Sequence, residues 1–392
     1  MSGPQAACGA AGPTAPAALR LEDLDYDLPD ELVAQAPAEP RDASRLLVYH
    51  RADGSLHDRV FSDLPQLLRE GDVLVRNDTR VFPARSFFRR ATGGRLEVLF
   101  LRLSNAGRGA AGSSVPDAAP ASRDPAEVWE ALLRGRPRCG ETLTSEALGE
   151  AWPLIAVRPL GDGRWLVASR EARPVLDLLE EAGAMPLPPY IHERLSDPER
   201  YQTTYARQVG SAAAPTAGLH FTPALDAGLA AAGVSIETVT LHVGLGTFKP
   251  LSEGTLAANQ LHSEAYEVDA AVWARLLAAR AQGRRVVAVG TTSVRTLEHL
   301  ARHAPEAATP AGLQPGASAG QAAFRGETRL FITPGCDFRA VDAIVTNFHL
   351  PRTSLLALVM AFCGVEQTRG LYAHAVRERY RFYSFGDAML AL

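Results

Sequence analysis

The sequence predicts an α/β fold, with a mostly parallel sheet interrupted by an inserted antiparallel β-barrel domain. Three observations carry this expectation. From about residue 171 onward, helical stretches alternate with short apolar strands, the pattern of βα units around a largely parallel sheet. Between about 70 and 170 the runs are short, β-type and separated by glycine turns, the spacing of hairpins that close on themselves. At 392 residues the chain is too long for one ordinary core. The expected organisation is a disordered tail over 1–18, a discontinuous α/β catalytic domain over 19–70 and 171–392, and a barrel domain over 71–170.

The elements follow in chain order. Residues 1–18 are rich in Ala, Gly and Pro and cannot bury a core. Helical turns and a strand, Arg45–Tyr49, occupy the next fifty residues. The barrel runs are Val73–Val75, Val81–Phe82, Arg95–Leu103, Val128–Leu133, Leu154–Val157 and Trp165–Ala168, with turns at Thr92-Gly93-Gly94 and Gly161-Asp162-Gly163. Then come helices at Pro174–Ala182 and Pro223–Ala232, a strand at Val234–His242, a helix at Asp269–Gln282 and a strand at Arg285–Val289. A helix at Thr291–Arg302, a strand at Val341–Asn347 and helices at Thr353–Cys363 and Leu371–Arg379 complete the set. Asn105–Asp124 and His303–Gln321 read as low-complexity loop expansions.

Composition narrows the function. Hydrophobic content of 46% and charged content of 21% are those of a soluble globular protein. A net charge of -4 argues against non-specific binding to nucleic acid, although a local basic face remains open. Lys249 is the one lysine among 40 basic residues, so phosphate contacts would fall to arginine forks. Cys8, Cys139, Cys336 and Cys363 are far apart, which speaks against a structural zinc, an iron–sulfur cluster or a disulfide framework, and fits a reducing cytoplasm. The apolar run from Ser354 to Val365 is too short to span a bilayer, and no signal peptide is expected.

Two glycine- and histidine-bearing segments stand out: Gly210 to Thr222, with Thr216, Gly218 and His220, and Leu241 to Phe248, with His242, Gly244, Gly246 and Thr247. They suggest two walls of one pocket, and each alone reads equally well as a turn. Gly290-Thr291-Thr292-Ser293-Val294-Arg295 follows an apolar strand and opens a helix, where unpaired N–H groups favour an anion or simply a capped terminus. Asn347-Phe348-His349-Leu350-Pro351 follows another strand, where α/β sheets collect ligands, or it only turns the chain. His262 and Glu264, two apart, would share one face of a strand, or they are simply an exposed polar pair. Arg200 and Tyr201, the segment Arg379 to Asp387 with Arg381 and Tyr383, and Arg80 in the 76–85 stretch mix arginine with aromatics. They suit either RNA or a core. No G-x-G-x-x-G or Walker lysine is present.

In this order, the motifs resemble the S-adenosylmethionine:tRNA ribosyltransferase-isomerase family of the queuosine pathway. The matching words are Asp25-Tyr26-Asp27-Leu28-Pro29, Arg41-Asp42-Ala43-Ser44-Arg45-Leu46, Gly71 to Val81, Leu187-Pro188-Pro189-Tyr190-Ile191 and Tyr201-Gln202-Thr203-Thr204-Tyr205-Ala206. The 210–222 segment, Leu241 to Phe248, Gly290 to Glu298, Thr346 to Pro351 and Tyr380 to Leu390 complete them. The resemblance implies an α/β domain with an inserted barrel. It also implies transfer and isomerisation of the ribosyl part of S-adenosylmethionine onto 7-aminomethyl-7-deazaguanine at the wobble position of a tRNA anticodon, giving epoxyqueuosine-tRNA, adenine and methionine. S-adenosylmethionine is then a consumed substrate, with no cofactor and no metal, and the enzyme is expected to be a cytoplasmic monomer whose partners are S-adenosylmethionine and the anticodon stem-loop.

With that chemistry in view, His220 is the first candidate acid or base, with His242 and His349 as runners-up. Thr291, Thr292 and Arg295 would hold the methionine carboxylate, and His262 and Glu264 would face ribose or adenine. Thr216, Gly218, Gly244, Gly246, Thr247 and Asn347 are further substrate-binding candidates; Arg200, Tyr201, Arg381, Tyr383 and Arg80 would meet the tRNA. An S-adenosylmethionine-dependent RNA methyltransferase and a non-catalytic tRNA-binding protein are the competing readings.

Overall fold

The structure is a computed structural model describing residues 19–104, 127–193, 195–244, 251, 254–259, 261–303 and 323–392. The expected tail over 1–18 lies outside the described residues, as do the two expected loop expansions apart from His303. The chain forms two compact units. One comprises the residues up to Arg80 with Pro188–Gln208 and Ala214–Leu392, the other Val81–Leu187 with Val209–Ala213.

The strands begin with β1 (Arg45–Tyr49), β2 (Leu56–Val60), β3 (Val73–Asn77) and the short β4 (Thr79–Val81). The smaller unit contains β5 (Arg85–Arg90), β6 (Arg95–Leu103), β7 (Glu127–Arg134), β8 (Glu141–Ser145), β9 (Gly149–Gly161) and β10 (Arg164–Ser169). After β11 (Gln208–Ser211) come β12 (Ser235–Leu241), β13 (Glu264–Asp269), β14 (Val286–Val289), β15 (Ala323–Thr328), β16 (Ala343–Asn347) and β17 (Ala388–Ala391). The helices are α1 (Leu64–Leu67), α2 (Val175–Ala182), α3 (Pro223–Ala231), α4 (Ala270–Ala281), α5 (Gly290–His303), α6 (Ser354–Cys363) and α7 (Val365–Arg377).

In the larger unit nine strands form one sheet in the order β15-β13-β12-β3-β14-β16-β17-β1-β2. The central strands β12, β3, β14 and β16 are parallel. Antiparallel pairs flank them on both sides. The fold class is the expected α/β one, and its parallel character is concentrated at the centre. Alternate residues of each strand face opposite layers. Leu47, Val75, Ala288 and Ile344 pack with α4, α5, α6 and α7; Leu46, Leu74, Val287 and Val345 pack with α1 and α3. Each of these leucine, valine and isoleucine side chains contributes about 1.5–3 kcal/mol on burial.

The smaller unit holds a closed antiparallel barrel, β10-β7-β6-β5-β8-β9. Its interior is aromatic. Trp152 stacks on Phe100 at 5.6 Å, and Phe88 meets Trp152 edge-on at 5.0 Å.

Several sequence expectations change. The smaller unit spans Val81–Leu187 with Val209–Ala213 rather than 71–170, and Val81, expected in the barrel, ends β4, which pairs with β11 in a separate two-stranded sheet. Val73–Val75, grouped there with the barrel, belongs to β3 in the middle of the large sheet, where all five strand residues are buried. A three-residue apolar run cannot distinguish a hairpin strand from a central one. The last helix starts at Val365 rather than Leu371, immediately after Gly364, whose φ of +97° breaks the chain between α6 and α7.

Candidate active site at the strand ends

The carboxyl ends of the parallel strands bring the reactive side chains together. Asn347 ends β16, and Gly290, at φ +81°, turns the chain sharply from β14 into α5. A five-residue 3-10 helix, Thr216–His220, is closed by a Gly218 N–H to Pro215 carbonyl bond of 2.8 Å. It places Thr216 and His220 beside Asn347.

Here a continuous hydrogen-bond chain runs inward. Thr216 Oγ1 donates to Asn347 Oδ1 at 3.0 Å. The Asn347 amide nitrogen lies 3.2 Å from His220 Nε2, and His220 Nδ1 lies 2.7 Å from Ser44 Oγ. The His220 ring stacks on Phe61 at 4.7 Å. Burial, reinforced by the positive charge of Arg381, pushes the His220 pKa down to about 3, so the ring is neutral at physiological pH.

A cleft opens beside this chain. It is lined by Thr216, Asn347, His349, Tyr190, Tyr383 and Ser384, among others. His349 Nε2 lies 2.8 Å from Thr346 Oγ1, and its Nδ1 has no partner among the described residues. Two tyrosines pin its backbone: Tyr26 donates to the His349 carbonyl at 2.5 Å, and the His349 N–H donates to the Tyr372 hydroxyl at 3.0 Å. Burial pushes the His349 pKa down to about 3. On the opposite wall Tyr190 and Tyr383 pack at 4.8 Å, and the Tyr190 hydroxyl lies 2.6 Å from Ser384 Oγ. Gly218 is required where it stands: a Cβ there would fall 2.1 Å from the Tyr205 hydroxyl.

A second group lies on the same carboxyl edge of the parallel strands, toward β12 and β13. His242, just past β12, has Nδ1 2.8 Å from Thr79 Oγ1, and burial lowers its pKa. Two strand spaces separate β12 from β14 and three from β16, about 14 Å at the ordinary inter-strand distance. His242 therefore stands apart from His349 along the same sheet edge and does not line the cleft. Glu264, at the start of β13, accepts from the Gly244 N–H at 3.2 Å and forms a buried ion pair with Arg295 of α5. Arg295 Nε also donates to the Leu330 carbonyl at 3.1 Å. Thr291 and Thr292 are buried at the start of the same helix. The Thr292 hydroxyl and Arg295 Nη2 have no hydrogen-bond partner among the described residues.

Several sequence candidates are placed otherwise than expected. His262 is exposed and precedes β13, so it does not share a face with buried Glu264; the alternation argument holds only inside a strand. Arg295 is neutralised by Glu264 rather than left free for a carboxylate. Tyr201 is fully buried and packs edge-on against Phe385 at 5.9 Å, so it presents no face to a base. The 379–387 aromatics also go inward: Tyr380 and Phe382 surround Phe348, and Tyr383 lines the cleft. Arg200 pairs with Glu39 at 2.8 Å, Arg80 with Glu199 at 2.5 Å, and Arg381 donates to the Ala36 carbonyl at 3.3 Å. Gly246 and Thr247 lie outside the described residues. Sequence reasoning assigned no role to Ser44, Phe61, Tyr26, Tyr190, Tyr372 or Ser384. Ser44, Tyr26, Tyr190 and Ser384 sit inside the family-like words, which was the available signal.

Among the described residues no three His, Cys, Asp or Glu side chains are grouped to hold a metal ion, and no helix is long and apolar enough to cross a membrane. Residues 21–391 match the family described as queuosine biosynthesis protein. A protein of Symbiobacterium thermophilum named S-adenosylmethionine:tRNA ribosyltransferase-isomerase is 48% identical over 378 residues, covering 95% of this chain and 100% of its own. A protein of the same name from Rubrobacter xylanophilus is 49% identical over 374 residues, covering 95% and 98%. The crystal structure of an S-adenosylmethionine tRNA ribosyltransferase from Thermotoga maritima is 34% identical, with a TM-score of 0.50, covering 94% of this chain and 100% of that one. With that agreement along nearly its whole length, the chain belongs to the queuosine biosynthesis protein family.

Proposed function

We propose that this chain is the ribosyl-transferring enzyme of its family. It moves and isomerises the ribosyl part of S-adenosylmethionine onto 7-aminomethyl-7-deazaguanine in the anticodon wobble position of tRNA, and releases adenine and methionine. The observation that carries this reading is end-to-end identity near 48% with relatives of that name, with no large part of either chain left over. The larger unit is the catalytic body, acting as a cytoplasmic monomer without a cofactor.

The chemistry makes three demands. The sulfonium acidifies the adjacent 5′ carbon, and a base takes that proton. Adenine leaves with a proton on its ring. The acceptor amine attacks uncharged. The cleft supports these steps in stated ways. Two buried histidines are held neutral, which is the form a base needs and one that does not repel a sulfonium. The Tyr190 and Tyr383 rings offer π faces to a cation. Of the two histidines, His349 fits proton transfer better, because its Nδ1 has no partner among the described residues and it lines the cleft, whereas both His220 nitrogens are engaged. Beside the 216–220 turn, the start of α5, with the Thr292 hydroxyl and Arg295 Nη2 unpartnered among the described residues, supports the expected carboxylate contact despite the Glu264 pair.

The test is incubation with S-adenosylmethionine and tRNA carrying the aminomethyl precursor, followed by nucleoside mass analysis. Gain of the epoxycyclopentane nucleoside with equimolar adenine supports the proposal. S-adenosylhomocysteine would mark a methyltransferase, and tRNA retention without adenine release a binding protein.

A further inference from the structure

We propose that Ser44 and His220 are positioning residues that lock the Asn347 amide in one orientation, and thereby make the Thr216 hydroxyl an obligate hydrogen-bond acceptor for a donor group of the substrate. The inference rests on the reading that this cleft takes S-adenosylmethionine, and it assigns one wall of the cleft its polarity.

The donor and acceptor roles follow from the fixed ends of the chain. The Asp387 backbone carbonyl lies 3.4 Å from one terminal atom of the Asn347 amide. A carbonyl only accepts, so that atom is the NH2. The same NH2 faces His220 Nε2 at 3.2 Å, so Nε2 carries the lone pair. The proton of the neutral imidazole therefore sits on Nδ1 and is donated to Ser44 Oγ at 2.7 Å. The other end of the amide is a carbonyl oxygen, which can only accept, so Thr216 Oγ1 commits its single proton to it at 3.0 Å. What remains on Thr216 is lone pairs, in a cleft shared with His349, Tyr383 and Ser384. A substrate oxyanion is repelled there; a hydroxyl or an ammonium is accepted. In S-adenosylmethionine the matching groups are the ribose hydroxyls and the α-ammonium. His220 is thus a buried post whose neutrality preserves the polarity of the chain: a protonated ring would turn Nε2 into a donor, leaving two donors facing each other at Asn347.

Two measurements test this. The first does not depend on activity. Long-range proton–nitrogen correlation in the free protein is expected to show His220 as the neutral Nδ1–H tautomer at neutral pH; an Nε2–H tautomer or a cation would overturn the proposal. The second is steady-state kinetics. Thr216→Val is expected to raise the KM for S-adenosylmethionine about tenfold with a smaller change in kcat, and Thr216→Ser to restore it, because only the acceptor is removed. His220→Gln places a carboxamide oxygen where Nε2 stood and is expected to retain turnover within about tenfold of the parent, while His220→Leu and Ser44→Ala lose more, in KM rather than in the pH profile. A folded His220→Gln as inactive as His220→Leu, or a parental KM in Thr216→Val, would sink the positioning role. Should the parent enzyme release no adenine at all, the proposed function falls, and the tautomer measurement still decides the chain of bonds.

Discussion

Replacing Glu264 by leucine strips the buried Arg295 of its counter-charge. The two side chains are 4% and 6% exposed, so water cannot take the carboxylate's place. Arg295 would keep the Leu330 carbonyl on Nε, and its Nη2 already has no partner among the described residues. Removing one member of such a pair costs about 3–5 kcal/mol, most of it the penalty for an uncompensated buried charge. The Gly244 N–H loses its acceptor too, which adds about 1 kcal/mol. Against a total stability of about 5–15 kcal/mol this is a large fraction. Urea unfolding of Glu264→Leu, followed by circular dichroism, should therefore show a markedly lower midpoint. The double variant Glu264→Leu/Arg295→Met contains neither charge and is expected to be more stable than Glu264→Leu alone by about 2 kcal/mol or more. A single variant within about 0.5 kcal/mol of the parent, or a double variant whose losses simply add, would refute the reasoning, since the pair would then be solvated or uncoupled.

Other consequences follow from the same geometry. His220 and His349, at about 3 when folded against about 6.5 when unfolded, refuse protons that the unfolded chain accepts, so stability is flat above about pH 6.5 and falls as pH drops toward 3, by about 1.4 kcal/mol per pH unit for each histidine. Urea midpoints at about pH 7.5 and 5.5 check this, and no loss between them would contradict burial of neutral rings. Gly218→Ala drives a methyl into the Tyr205 hydroxyl and should cost about 1–3 kcal/mol, with partial relief in a Gly218→Ala/Tyr205→Phe double variant, read as melting temperature. Tyr201→Ala should lower stability by about 3–5 kcal/mol, because the ring is core; unaltered melting with weakened tRNA binding would restore it to the RNA surface.

The sequence made the helices and central strands legible where apolar period and length agreed. Arg45–Tyr49 and the strand ending at Asn347 are found where periodicity puts them, and the helix capped by Asp269 begins one residue later. It was weaker for β13 and β15, which are mixed in polarity, and for β17, whose four apolar residues are too few to show a period; all three owe their strand state to neighbours already in place. Of the cleft, Thr216, Asn347 and His349 were visible as polar residues in turns or at a strand end. Their counterparts Ser44 and Phe61 were not, because both look like ordinary residues of the N-terminal segment, 176 positions from His220 in the case of Ser44.

The division has a physical cause. Local sequence sets backbone preference and which residues are apolar, so by itself it determined the α/β class, the barrel hairpins and the family to which the chain belongs. Hydrogen-bond direction, burial and charge pairing depend on groups that only folding brings within 3 Å. Tertiary structure alone therefore decided that Glu264 belongs to Arg295 rather than to His262, that Tyr201 is core, and that His220 is a neutral post with both nitrogens engaged while His349 faces the cleft.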